Sequence, residues 1–315
     1  MVKGVAYKIL STLAFAFMMA IMKAHTDYPV GEIVFFRSAP ALLVLFAWLA
    51  MRGEFPGALK TQWLGGHLVR SIAGSASMFM MFSTYYFLPL ADTSAVLYTG
   101  PIMIVLLSWL MLGERIGGTR LAAVALGFFG VLIMLWEHIG GGGGHNPRGS
   151  WGIVTGLSGA FFVAIAMIQT RRLALSEHVG AIVFYFQVVA SLIGLAWCGL
   201  GWAWPQGAPL SGFMRMQEWI TPQGNAAALM VLAGLFGGAG QIFMTKAYSF
   251  ADASIIASFD YVSMIWLVSL GILFFGDYPS IYVLAGACVV AAAGVLLIYG
   301  ERRRRNLPQP VQRTA

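Results

Sequence analysis

The sequence predicts an all-α integral membrane protein with ten transmembrane helices, arranged as two inverted five-helix repeats with both termini in the cytoplasm. Three observations predict this fold class: the composition, ten long apolar runs, and one apolar segment that occurs twice. Hydrophobic residues make up 59% of the 315 residues and charged residues only 10%, and the mean hydropathy is +0.79. A soluble domain of this size does not have such a composition.

Ten apolar runs are long enough to cross the roughly 30 Å hydrocarbon core of a bilayer as helices of about 20 residues. They lie near residues 4–22, 31–51, 68–88, 93–112, 118–136, 151–170, 179–200, 225–248, 254–275 and 279–299. The first run follows two lysines, as a signal peptide would. No small-residue cleavage pattern follows that run, so we expect the helix to be retained.

The distribution of lysine and arginine predicts the topology. With the amino terminus inside, 15 of these side chains fall on the inner side: Lys3, Lys8, Arg52, Lys60, Arg70, Arg115, Arg120, Arg171, Arg172, Lys246, Arg302–Arg305 and Arg313. Only Lys23, Arg148 and Arg215 fall on the outer side. The positive-inside rule then puts both termini in the cytoplasm and the protein in the cytoplasmic membrane. Bilayer insertion therefore explains the pI of 9.6, and no nucleic-acid partner is expected.

One apolar segment occurs twice. GEIVFFRSAPALLVLFAW, Gly31–Trp48, returns as GAIVFYFQVVASLIGLAW, Gly180–Trp197, with eight of the eighteen positions identical. Each copy forms the second helix of a five-helix unit. Because five is an odd number, the second unit must sit upside down relative to the first.

The repeat divides the chain into four parts. Residues 1–136 and 151–300 form the two five-helix units. Residues 137–150 are a glycine-rich linker, and residues 301–315 are a basic cytoplasmic tail. We interpret the arginine run of the tail as a topological anchor, with a lipid-headgroup or partner site as the alternative.

Several short motifs accompany the doubled units: LGER from Leu112, FGDY from Phe275, GFFGVLIM from Gly127, AGACVVAAAGVLLI from Ala285, and the pair Phe36–Arg37. Together these features resemble the drug/metabolite transporter superfamily, specifically its EamA-type members, over nearly the whole chain. FGDY departs from the FGE form of the family, although aspartate keeps the charge. The resemblance implies a ten-helix carrier of small polar or amphipathic metabolites with a central cavity between its halves.

Two charged residues lie deep inside predicted helices. Arg37 is six residues beyond Gly31, about 9 Å below the outer end of its helix, and Asp260 is eight residues beyond Asp252, about 12 Å from the inner end of its own. A charge at such depth costs at least a few kcal/mol unless it faces protein or water. We expect both to border the substrate cavity, Arg37 binding an anionic group and Asp260 an amine or a proton. The structural alternative pairs Arg37 with Glu32 or with unbonded carbonyls, and Asp260 with Tyr261 or Ser263.

Other polar and aromatic residues are weaker candidates for substrate contact. Glutamines inside a membrane bond neighbouring helices at least as often as they bind ligands. Aromatic faces stack on planar solutes, but they also face lipid and anchor the interface. On this basis the predicted contacts are Gln187, Gln241, Tyr98, Tyr185, Tyr261 and Trp266.

Backbone-perturbing residues mark two further features. Gly100–Pro101 is expected to break the fourth helix and to leave carbonyls near Val96 unpaired, either as a transporter site or as a packing kink. Glycines on the eighth helix, including Gly234 and Gly237, and small residues on the third permit close approach and sliding, or static packing.

These features predict a secondary transporter that moves a small metabolite, an amino acid or a planar aromatic compound, by alternating access. A riboflavin-like vitamin carrier and a multidrug-type efflux protein are alternatives, and an intramembrane enzyme is the alternative of another class. No nucleotide-binding, hydrolase or metal motif is present, and both cysteines lie in apolar runs, so no catalytic residue, cofactor or metal is expected. The expected partners are a small-molecule substrate, the bilayer, and a proton or an exchange solute; the sequence does not predict an oligomeric state.

Overall fold

The structure is a computed structural model. It describes residues 2–25, 27–88, 93, 96, 99–112, 118–134, 136, 147–208, 218–251, 253–276, 278 and 280–305. Every regular element within these residues is helical. The α-helices are α1 (Val2–Lys23), α2 (Val30–Ser38), α3 (Ala41–Met51), α4 (Leu64–Phe87), α5 (Thr99–Leu112), α6 (Gly118–Met134), α7 (Pro147–Leu173), α8 (Val179–Ala203), α9 (Ala226–Phe250), α10 (Ala253–Ala257), α11 (Val262–Leu270) and α12 (Ile281–Arg305). Three short elements accompany them: 3₁₀ turns at Gly57–Leu59 and Ser258–Tyr261, and a π-helical turn at Gly271–Phe275.

Helical residues overlap each of the ten predicted runs. Among the described residues, five helices are long and apolar enough to cross a membrane: Lys3–Lys23, Val30–Met51, Trp151–Leu173, Val179–Ala203 and Ala226–Phe250. The all-α membrane class is therefore confirmed. The number of ten crossings and the side of the termini stay predictions.

The second predicted run corresponds to the apolar span Val30–Met51, which contains a local break that the prediction did not include. The helix is interrupted between Ser38 and Ala41 because Pro40 has no N–H to donate to the carbonyl of Phe36. Leu42 and Leu43 instead donate to the carbonyls three residues before them, at 3.1 and 3.0 Å.

The ninth run is also segmented. Short α10 gives way to the 3₁₀ turn Ser258–Tyr261, which carries Asp260, and α11 ends in a π-helical turn. The helix terminates at Gly276, whose φ of +64° is in the left-handed region that favours glycine. The predicted FGDY turn thus begins with a glycine cap.

Two predicted boundaries need correction. α7 begins at Pro147, so the last four residues assigned to the linker are helical; residues 137–146 lie outside the described residues. α12 continues through Arg305, because five polar residues extend the last helix beyond the apolar run that ended the prediction at 299. Residues 306–315 of the tail, and the LGER turn after Leu112, also lie outside the described residues.

The two copies of the doubled segment run antiparallel. Gly31, at the start of α2, packs on Gly194 and Cys198 near the end of α8. Gly180, at the start of α8, packs on Leu49 near the end of α3. A side chain at Gly31 would meet the Gly194 carbonyl oxygen at 2.8 Å, so the two backbones are in direct contact there.

Helices of the two halves alternate in the core. α1 packs along α9, and α4 packs along α7. In the first pair, the first membrane helix of the first half (α1) contacts the third of the second half (α9). In the second pair, the third of the first half (α4) contacts the first of the second half (α7), so exchanging the halves converts one pair into the other. The same exchange relates the contact of α4 with α8 to that of α9 with α2. This packing pattern is what a pseudo-twofold relation between repeats produces.

Candidate functional site

A cavity of about 210 Å³ lies among helices of both halves. It is lined by Lys8, Thr12, Phe15, Ala16, Met18, Met19, Arg37, Arg70, Gly74, Ser77, Met78, Met81, Gly100, Ile104, Ala160, Val163, Met167, Phe186, Gln241, Met244, Asp260, Ser263 and Leu267. Both residues with the strongest sequence prediction, Arg37 and Asp260, line it, and so do Gln241 and Gly100. We call this space the central cavity.

Arg37 lies one turn before the break at Pro40 and is 95% buried. Its Nη1 donates to Oε1 of Gln187, across the interface of the two doubled segments, at 3.2 Å. Its Nε is buried and has no hydrogen-bond partner among the described residues. Glu32, the structural partner that the sequence suggested, accepts instead from the backbone N–H of Ile220 at 3.0 Å.

A second arginine, Arg70 of α4, lies against the same aromatic ring as Arg37. The guanidinium carbon of Arg70 is 4.0 Å from the centroid of Phe186, and that of Arg37 is 5.3 Å from it. Gly74 makes room for this arrangement, because a Cβ there would stand 2.4 Å from Nη1 of Arg70 and 2.6 Å from the Phe186 ring. Phe186 occupies the position of the second repeat that matches Arg37 in the first.

Asp260 forms an ion pair that joins the halves. Its Oδ1 lies 2.5 Å from Nζ of Lys8, whose side chain is 2% exposed, whereas the Asp260 side chain is 30% exposed. The 3₁₀ turn around Asp260 places the carboxylate at the cavity wall. The Ser263 hydroxyl donates to the backbone carbonyl of Asp260.

The remaining walls are apolar and consist largely of flexible methionine side chains. Six methionines line the cavity, from Met18 and Met19 of α1 to Met244 of α9. Phe15 and Phe186 supply the described aromatic walls. Thioether side chains adapt to irregular ligands because they are unbranched and polarizable.

The other predicted contacts lie in different places. Gln187 is fully buried behind Arg37, and its Nε2 has no partner among the described residues. Tyr185 packs on His67, with ring centroids 4.7 Å apart, and Trp266 packs in a cluster with Ala16 and Ala20. Neither of these two aromatic residues lines the cavity. Tyr98 and the side chain of Tyr261 lie outside the described residues.

Of the predicted helix break at Gly100–Pro101, the structure describes Val96 before it and the helix from Thr99 onward. Gly100 lines the cavity, and a Cβ added there would meet Val163 at 3.9 Å, an ordinary contact. Both Gly100 and Pro101 lie within α5. The Val96 carbonyl, expected to be unpaired, accepts from the Thr99 hydroxyl at 2.7 Å.

Sequence reasoning missed Lys8 and Arg70 as cavity residues because it assigned both to the inner-side charges that orient the protein. The structure buries them to 98% and 99%. Depth along the helix was the available signal: α4 begins at Leu64, four residues before the predicted run, so Arg70 lies six residues inside it. Its direction toward the cavity depends on packing that no single helix reveals.

The described residues contain no cluster of three or more His, Cys, Asp and Glu side chains placed to hold a metal ion. The polar groups of the cavity are three cations, one carboxylate, and amide or hydroxyl side chains. Such a set has the chemistry needed to bind and orient a polar solute.

The overall fold matches a solved crystal structure with a TM-score of 0.72, at 16% identity over 95% of this chain and 98% of the other. Among curated proteins, the pseudopaline exporter of Pseudomonas aeruginosa (strain UCBPP-PA14) is 28% identical over 295 residues, covering 93% of this chain and 95% of that protein. The riboflavin transporter of Rhizobium johnstonii is 28% identical over 311 residues, covering 98% and 94%. The S-adenosylmethionine uptake transporter of Rickettsia prowazekii is 26% identical over 275 residues, covering 86% and 84%.

The sequence model of the EamA-like transporter family matches this chain twice, over residues 2–136 and 150–300. Both matches together span most of the 315 residues. The resemblance found in the doubled units and their short motifs is confirmed, and the chain belongs to the EamA-like transporter family.

Proposed function

We propose that this chain is a secondary carrier that moves a small metabolite across the cytoplasmic membrane by alternating access. Ten crossings form two inverted units, residues 1–136 and 151–300, with residues 137–150 as connector and residues 301–315 as a basic cytoplasmic tail. The antiparallel packing of α2–α3 against α8 supports the inversion. The relatives that are named as transporters support carrier function.

One observation carries the proposal: Arg37 and Asp260, one from each half, border the same cavity. A charge inside a membrane protein is expensive, and it is retained where it faces a polar partner or an aqueous path. Both residues lie beside breaks in their helices, at Pro40 and at the 3₁₀ turn. Discontinuous helices at the interface of inverted repeats are where secondary carriers bind their substrates.

The two charges have different roles. Arg37 binds an anionic group of the substrate, since its guanidinium cannot release a proton in a working cycle. Asp260 is the exchangeable group: its carboxylate, held by Lys8, accepts a proton or an amine when that ion pair opens. Gln241, 99% buried and with an unpartnered Nε2 among the described residues, supplies a neutral hydrogen bond at the same wall.

A planar vitamin of the riboflavin type is the second candidate substrate beside amino acids. The relative from Rhizobium johnstonii, named as a riboflavin transporter, aligns with 98% of this chain. Phe15 and Phe186 offer ring faces at the cavity wall. A multidrug-type exporter selective for cations fits less well, because Arg37 and Arg70 repel cations from the cavity.

Uptake into proteoliposomes tests the proposal. A labelled panel of aromatic and aliphatic amino acids and riboflavin is offered with and without a pH gradient to the wild type, Arg37→Ala and Asp260→Asn. We expect saturable movement of one solute that both variants lose at normal membrane abundance. Arg52→Ala is the matched control, because Arg52 is an exposed arginine paired with Glu54 outside the cavity.

Normal transport by both variants would show that Arg37 and Asp260 are structural and would remove the site from the proposal. Silence toward the panel and toward a wider metabolite library, from folded protein, would favour a function other than transport.

A further inference from the structure

Resting on the proposed carrier function, we propose that the central cavity binds a dicarboxylate, a solute with two carboxylates on one compact body. One carboxylate meets Arg37 and the other meets Arg70. The apolar body lies against Phe186 and the methionine walls.

The charge balance of the cavity indicates a dianion. Its lining includes the cations Lys8, Arg37 and Arg70 and the single carboxylate of Asp260. Lys8 and Asp260 neutralise each other at 2.5 Å. Two positive charges remain, and no described carboxylate forms an ion pair with either guanidinium. A bound solute with two negative charges balances them.

The hydrogen-bond donors of the two arginines point to the same conclusion. Nε of Arg37 and both Nε and Nη1 of Arg70 are buried without a hydrogen-bond partner in the described part of the chain. Buried polar groups in native proteins are nearly always bonded, and an unpaired buried cation is strongly destabilising. A guanidinium matches a carboxylate with two parallel hydrogen bonds, so we expect these donors to bond carboxylates when a solute enters the cavity.

The geometry is compatible with two anionic groups on one small solute. Both guanidinium carbons lie beside the Phe186 ring and are no more than about 9 Å apart, because their distances of 5.3 and 4.0 Å end at one ring centroid. Gly74 fixes the Arg70 position, since any larger residue would displace Nη1. Two carboxylates on neighbouring carbons of a small solute fit within this limit, and the phosphate probe below tests the single-anion alternative.

The walls define the body of the solute. Met18, Met78, Met81 and Phe186 surround the arginines with apolar surface, so the part between the carboxylates is hydrocarbon or aromatic. A cavity of about 210 Å³ limits that body to a small molecule.

A matched series of probes tests the assignment: 2-benzylsuccinate, its half-amide, its neutral diamide, and phenyl phosphate. Binding to the purified full-length protein in detergent is measured by isothermal titration calorimetry, which does not require transport. We expect affinity to fall at least about tenfold for each carboxylate converted to an amide. Arg37→Gln and Arg70→Gln each lower dicarboxylate affinity to a similar extent, whereas Arg52→Gln leaves it unchanged.

Arg70→Lys distinguishes loss of binding from loss of folding, because lysine keeps the charge but not the bidentate guanidinium. We expect this variant to have normal thermal stability and a dicarboxylate affinity between those of the wild type and Arg70→Gln. Equal affinity for the dicarboxylate and the diamide, or tight phenyl phosphate binding without dicarboxylate binding, overturns the assignment. Dicarboxylate binding without movement into proteoliposomes would support this inference while refuting the carrier. Riboflavin transport without dicarboxylate binding would do the reverse.

Discussion

Removing either partner of the Lys8–Asp260 ion pair should destabilise the protein, but removing Asp260 should cost more than removing Lys8. At 2.5 Å and an effective dielectric constant of about 20, two unit charges attract by about 7 kcal/mol. Desolvation of several kcal/mol per ion offsets most of this attraction, so the intact pair contributes little net stability. The consequence of breaking it depends on which charge is left behind.

Removing Asp260 leaves the ammonium of Lys8, 2% exposed, without a counter-charge, and we expect Asp260→Ala to lower the free energy of unfolding by about 3–5 kcal/mol. Removing Lys8 leaves a carboxylate that is 30% exposed and therefore accessible to solvent, so Lys8→Met should cost about 1–2 kcal/mol. The double variant should be more stable than Asp260→Ala alone.

The measurement is a denaturant titration of purified protein in dodecyl maltoside, with SDS as denaturant and far-UV circular dichroism as the signal. The four proteins of the cycle are compared at one pH. Equal losses for the two single variants, adding up in the double variant, would show that the charges do not interact and would refute the reasoning.

Three other predictions follow from contacts outside this pair. Gly234→Ala should destabilise the protein by about 1–3 kcal/mol, because its Cβ would stand 2.2 Å from the Phe36 carbonyl oxygen, whereas Gly199→Ala, with no atom within 4 Å, should be neutral or stabilising in the same titration. Burial raises the pKa of the Glu177 carboxyl, but hydrogen bonds from the Gln62 and Trp63 backbone and the Thr61 hydroxyl outweigh it and hold that pKa below 4.5. The stability that this carboxylate contributes is complete above the unfolded-state pKa and is lost as the pH falls through the folded-state pKa, so Glu177→Gln should flatten the acid limb of a stability–pH curve. In a background with Cys198 and Cys288 replaced by alanine, a membrane-impermeant maleimide added to intact cells should label Gln206→Cys and spare Leu175→Cys; the opposite pattern would invert the topology.

Hydropathy predicted the helical runs well because a bilayer requires about 20 apolar residues for each crossing, whatever their neighbours. The interruptions were predicted less well. The sequence showed Pro40, yet the apolar run around it continued without a gap, and the prediction followed the run. The segmentation of the ninth run around Asp260 has no proline or glycine to announce it and depends on packing.

The candidate site divides in the same way. Arg37 and Asp260 were found from depth alone, because a charge far from either helix end needs an explanation. Lys8 lies 252 positions from Asp260, and nothing local to either residue predicts their pairing. The predicted run began at residue 68, which placed Arg70 at the helix end, where an arginine commonly orients a membrane protein. In the structure α4 begins at Leu64, so Arg70 lies deeper inside the helix. Closeness in sequence to a site residue does not predict contact with the cavity. Tyr185 and Trp266 each adjoin a cavity residue in the sequence, yet their side chains pack in other parts of the core.

The alternating core, with α1 on α9 and α4 on α7, bears on how the protein is made. A chain leaving the ribosome completes residues 1–136 while the surfaces that α1 and α4 will cover still lack their partners. We therefore expect Lys8 and Arg70 of the first half to lack their partners Asp260 and Phe186 until the second half is inserted. We therefore expect that neither half folds stably alone, and that a gene cut within the connector has to supply both pieces to the same membrane.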